Sequence, residues 1–195
     1  MRKLDKQFSR SKLKRIREIE RRLQSLKSPV EQFDVRYLSL EAVGSLEAGL
    51  LFASLQVMTS LLEFIARHLF IYHRSLDATS RSRATRDDLI YDISKAIEED
   101  RSFGFPKLLE ELKAIKIFTT REVRKMLELY KRIRNPIHHA ITGRYARSRD
   151  KYGFHEVFKL RGGREFEEAI ERHAIPELEL VCSAIESILA KFAAA

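Results

Sequence analysis

Cysteine, asparagine, glycine and proline are all scarce in this 195-residue chain, and each scarcity removes options. The one cysteine, Cys182, can form neither an internal disulfide nor a cysteine-rich zinc site. A reducing compartment is expected, and the chain reads as cytoplasmic. Cys182 stands beside Leu180, Val181, Ala184 and Ile185, so it reads as a small core residue and not as a nucleophile. Seven glycines and four prolines leave little to interrupt long helices. The longest uncharged run, residues 48–62, is fifteen residues long and contains Ser54, Gln56, Thr59 and Ser60. That is too short and too polar for a membrane span, so no membrane association is expected. The basic N-terminus carries no apolar stretch of the kind a secretory signal needs. Asn135 is the only asparagine, beside four glutamines. Depletion of thermolabile amides next to many charges is a thermophile-like composition.

What is present is a globular composition, 44% hydrophobic and 33% charged. The length suits one core. The expected organisation is a basic N-terminal helix over 1–30, then a single helical domain over 31–195 with a basic loop at 143–163. Net charge is +9, and it is unevenly placed. Residues 1–27 hold eleven Lys and Arg against three acids, and residues 116–151 hold the same, a net of +8 each. The remainder is net −7. Two such basic stretches suit a polyanion partner, with a solvated helix face as the plainer alternative.

Hydrophobic spacing predicts an all-α chain. A basic amphipathic helix is expected over 4–27 and a long, nearly all-round apolar helix over 38–75, at the centre of a bundle. A polar linker over 76–86 follows. Further helices are expected at about 86–100, from Pro106, over 120–134 with a cap offered by Thr119, Thr120 and Glu122, and from Pro136 to Gly143. Residues 144–163 read as a loop or small hairpin. A last helix over 164–192 should kink or restart at Pro176.

The segment Lys131-Arg132-Ile133-Arg134-Asn135-Pro136-Ile137-His138-His139 concentrates the chemistry. Pro136 has no N–H, and its ring clashes with the carbonyl of residue 132 in a continuous helix. One helix must therefore end near Arg134 and another begin, with Asn135 as a favoured N-cap and Pro136 at the first turn. On an unbroken helix Arg134 and His139 would lie about 140° apart. A break lets both turn toward one point, which also faces a helix N-terminus that attracts anions. A permanently charged guanidinium and an imidazole titrating near neutral pH are a suitable pair for a phosphodiester. Asn-Pro is also a common helix start, and two histidines can simply pack. Spacing alone does not choose between His138 and His139.

Arg134-Asn135-x-x-x-His139 resembles the Arg-x(4–6)-His motif of the HEPN superfamily, in its Arg-Asn-x-x-x-His form. The helical layout of residues 38–192 resembles that family loosely. The resemblance implies a HEPN-like bundle of about five to seven helices around a long central apolar helix. It also implies a metal-independent endoribonuclease without cofactors that forms a homodimer, with two motifs facing each other across a composite site. Arg134 would hold the phosphate and its transition-state charge. His139 would be the general base on the 2′-hydroxyl or the general acid on the leaving 5′-oxygen, and Asn135 would fix the junction. The products would be a 2′,3′-cyclic phosphate and a 5′-hydroxyl. Toxins of this family that pair with a nucleotidyltransferase antitoxin often carry a tyrosine two residues after the histidine. Here Ile141 stands at that place and Tyr145 is four residues further on, which puts that pairing in doubt, though another antitoxin or regulatory protein is open.

His138 and Glu63 are supporting candidates. In this family a polar residue of the long helix can approach the motif, while the plainer reading is that Glu63 marks where that helix face reaches solvent. Lys131, Arg132, Arg144, Arg147 and Arg149 could track an RNA backbone, with Tyr145 or Tyr152 stacking on bases. A non-catalytic helical module that binds RNA or a partner protein is the alternative. A di-iron bundle lacks its paired Glu-x-x-His motifs, and His68 and His73 are five residues apart.

Overall fold

Apolar side chains at three- and four-residue spacing give each helix one buried face in the computed structural model of the chain. The structure describes residues 8–28, 34–79, 85–100, 103–134 and 164–193. Seven α-helices and one π-helical turn make up the regular structure of these residues, which include no strand. They are α1 (Arg10–Gln24), α2 (Arg36–Glu47), α3 (Leu51–Thr79), α4 (Arg86–Glu99), α5 (Phe105–Ala114), α6 (Thr120–Leu129), the π turn (Tyr130–Arg134) and α7 (Arg164–Ala193). The all-helical expectation holds. Among the described residues no helix is long and apolar enough to cross a membrane.

The helix expected over 38–75 is two helices. The chain breaks at Ala48-Gly49-Leu50, where Gly49 takes φ 79°. Its N–H donates to the Leu46 carbonyl at 2.9 Å, and the Leu50 N–H donates to the Ser45 carbonyl at 2.8 Å. These two bonds close a helix end around a left-handed residue, the role glycine fills without steric cost. Buried Ser54 then donates to the Ala42 carbonyl at 3.0 Å, tying the start of α3 to α2. At its far end α3 runs to Thr79, into the stretch read as a linker, and α4 starts from a capping box of Thr85 and Asp88.

α3 packs against α2, α4, α5, α7 and the π turn. Leu55, Met58, Leu61, Ile65 and Leu69 are its largest fully buried side chains. α7 brings Ala174, Ile175, Leu178, Val181, Cys182, Ile185 and Ile188 into the same core. Burial pushes the Cys182 thiol up to about 12, consistent with a packing role. α7 continues through Pro176 and does not restart there. The proline deletes one backbone bond, and the burial of Ile175 and Leu178 on either side holds the helix in place. α1 belongs to this core as well, through Ile16, Ile19 and Leu23, and packs on α2 and α7.

Candidate nucleic-acid site

α6 and the π turn after it lead to Arg134, the first residue of the motif. Thr119 caps α6, its hydroxyl accepting from the Glu122 N–H while the Glu122 carboxylate accepts from the Thr119 N–H at 2.7 Å. Thr119, and not Thr120, is thus the cap residue. Val123, Met126 and Leu129 form the buried face, and Ile133 extends it at 0% exposure. At Tyr130 the bonding widens from an α to a π pattern and keeps it through Arg134. Pro136 has no N–H to give the Arg132 carbonyl, so a continued α ladder would leave that acceptor unpaired. A π turn is rare and costly on its own. Here Tyr130 stacks on Phe105 of α5, with centroids 5.2 Å apart at 29°, and buried Ile133 anchors the other side. Neither the π turn nor the Phe105–Tyr130 stack is apparent from spacing. The clue in the sequence was the Asn-Pro pair, which signals a break but not its form.

Of the residues singled out from the sequence, Lys131, Arg132 and Arg134 lie on this π turn. Lys131 is exposed. Glu63 is half-buried on α3, the helix that packs on the π turn. Asn135, His138, His139, Arg144, Tyr145, Arg147, Arg149 and Tyr152 lie outside the described residues, as do the helix expected from Pro136 and the loop over 144–163. The structure thus presents the chain up to Arg134, and the other half of the motif follows directly in sequence.

The electrostatic setting of α6 is open. Lys116, Arg121, Arg124, Lys125 and Lys131 are all exposed, and none makes an ion pair with a described residue. Of the two acids on α6, Glu128 is exposed, and Glu122 is engaged by the cap and by Lys191 of α7 at 2.7 Å. Burial works to raise its carboxyl, but the bonds from Lys191 and Thr119 prevail and hold it at about 2. A groove of about 560 Å³ runs between α6 and α7, lined by Lys125, Met126, Glu128, Leu129, Leu180 and Ser187 among others. The basic charges of α1 are placed differently. Arg15 grips Glu179 through two bonds of 2.7 Å. Arg22 grips Glu186 at 2.8 and 2.7 Å and reaches Ser183 at 2.8 Å.

His68 and His73 sit on α3. The His68 ring bonds the Phe64 carbonyl at 2.9 Å, and burial lowers its pKa, as it does that of His73. Among the described residues no group of three His, Cys, Asp or Glu side chains is placed to hold a metal ion. No family model, curated protein or solved structure matches the chain.

Proposed function

We propose that this chain is a HEPN-type endoribonuclease that cuts RNA by 2′-hydroxyl attack without a metal, serving as a toxin, a defence effector or an RNA-processing factor. The observation that carries the reading is the π turn that ends α6 at Arg134, directly before Asn135-Pro136. Such turns recur at functional sites because they re-aim side chains relative to the preceding helix face. Here the backbone of the motif's arginine belongs to such a turn, at the end of a helix that carries exposed Arg121, Arg124 and Lys125.

On this proposal Arg134 binds the scissile phosphate and the charge that builds on its oxygens. His139 exchanges the proton with the 2′-hydroxyl or the 5′-leaving oxygen, and Asn135 starts the next helix. His138 and Glu63 support the pair. Lys131, Arg132, Arg144 and Arg147 follow the backbone, and Tyr145 offers a stacking face. A homodimer would complete the site with a second motif.

Purified protein incubated with mixed RNA in EDTA tests the proposal. Cleavage that persists in the chelator and falls about 100-fold or more in both Arg134→Ala and His139→Ala is expected. Undiminished cleavage by the two variants would overturn the mechanism. Absence of cleavage by the wild type, with RNA bound, would favour a non-catalytic RNA-binding module. That second reading rests on the same exposed basic face.

A further inference from the structure

The groove between α6 and α7 has an aliphatic lining that the bundle leaves open. Met126, Leu129 and Ala184 are mostly buried along it, and Leu180 stands 47% exposed on its α7 side. Its volume of about 560 Å³ is that of sites for small organic groups, which run from about 300 to 1,000 Å³. An apolar lining with a few polar groups at the edge suits a flat heteroaromatic ring whose edge carries hydrogen-bonding groups.

Two of the polar groups along the groove are already engaged. Glu122 holds Lys191 and the cap of α6, and the Ser183 hydroxyl accepts from Arg22 and donates to the Glu179 carbonyl. Glu128 is not engaged. Arg124 and Lys125 precede it by four and three residues and Lys131 follows by three, the spacings at which ion pairs form on a helix. Yet Glu128 is exposed and pairs with no cation among the described residues. A carboxylate repels a phosphate backbone, so on a face that attracts one it works against affinity. What it offers RNA is an acceptor for the donors on base edges, which is how a protein reads sequence.

Donor geometry selects the base. An ionised carboxylate has two acceptor oxygens and no donor. Guanine carries two neighbouring donors on its Watson–Crick edge, the ring N1–H and the amino N2–H, and these meet both oxygens at once. On adenine and cytosine the amino group neighbours a ring-nitrogen acceptor, and on uracil the N3–H lies between two carbonyls. Each of those edges sets a lone pair against one carboxylate oxygen. Leu129 of the groove precedes Arg134 by five residues, about 8 Å along a helix axis. A nucleotide whose phosphate lies at Arg134 can therefore place its base in the groove.

We infer that the α6–α7 groove is a base-binding subsite for guanine, in which the Glu128 carboxylate accepts from N1–H and N2–H over the aliphatic lining. The inference rests on the proposal that RNA lies along α6, and it adds which nucleotide is preferred. Fluorescence anisotropy with 2′-O-methylated oligouridylates carrying a single G, A or C tests it, because these RNAs cannot be cut by 2′-hydroxyl attack. The wild type should bind the G oligonucleotide about tenfold or more tighter than the others. Glu128→Gln should erase that preference by weakening the G complex alone, and Ser187→Trp, which fills the groove from its rim, should erase it too. If Glu128 is only a surface acid, its removal lessens repulsion and tightens every oligonucleotide alike. That result overturns the inference, as does binding without base preference, and both leave the nuclease proposal standing. A G preference lost in both variants carries the inference even where the EDTA assay finds no cleavage. Absence of binding to any oligonucleotide overturns it, and the cleavage assay then judges the nuclease proposal separately.

Discussion

On α1 two arginines, Arg15 and Arg22, pair with carboxylates of α7, while on α6 Arg121, Arg124 and Lys125 are exposed and pair with no carboxylate among the described residues. Yet the sequence stretches that contain these helices carry the same net charge, +8 each. Arg15 and Arg22 pair with residues more than 160 positions away, and Lys12 and Arg17 also have partners. Part of the α1 charge therefore holds the first helix on the last. The α6 charge is available to an outside polyanion. Counting charge along a sequence gives equal weight to both stretches, and only the fold separates them.

The largest effect that sharpens this contrast concerns RNA. Reversing Arg124, Lys125 and Lys131 to Glu should lower RNA affinity about 100-fold at low salt and flatten its salt dependence, with the thermal midpoint little changed. Fluorescence anisotropy across a salt series reads both. An affinity that ignores the reversal would break the contrast.

Smaller, and on the other side of it, Arg22→Ala should cost about 1 kcal/mol of stability, since the pair is bidentate but partly solvated. Its RNA affinity should stay within about twofold of wild type, because this guanidinium releases no RNA counterion. Urea unfolding and the same anisotropy assay check the two halves. A stability unchanged by Arg22→Ala combined with lost RNA binding would place α1 on the nucleic-acid face.

The smallest effect belongs to Glu122, the acid that links α6 to α7. Its folded pKa is depressed from 4.5 to about 2, so the stabilisation is fully present above 4.5 and is lost as pH falls toward 2. The stability difference between wild type and Glu122→Gln should therefore shrink across that window and be flat above it. Thermal melts at a series of acidic pH values would show it. A difference that does not change with pH would mean the Lys191 bond is not what holds the carboxyl.

The helices themselves were largely legible. Leu89, Ile93 and Ile97 mark α4, Pro106 opens α5, and Glu122 three residues after Thr119 announces a capping box. The break at Gly49 was not, because it falls inside an apolar run where periodicity carries no phase. The capping box of Thr85 and Asp88 was hidden in a polar stretch that reads as linker. Pro176 looked like an interruption, since the local cost of a proline is visible in sequence and the burial that outweighs it is not. At the site, the break expected at Asn135-Pro136 lies outside the described residues, and the π turn before it was not legible because it depends on Phe105 and Ile133 meeting the rest of the core. The pairing of Arg15 and Arg22 lay beyond any local reading, because ion pairs across such separations exist only once the bundle is formed.

The ends of the RNA fragments left by the purified wild-type chain test the central claim most directly. Attack by the 2′-hydroxyl, with Arg134 and His139 in their proposed roles, predicts 2′,3′-cyclic phosphate and 5′-hydroxyl ends, formed equally well in EDTA. Fragments ending in 3′-hydroxyl and 5′-phosphate, or cleavage that vanishes with the chelator, would contradict it.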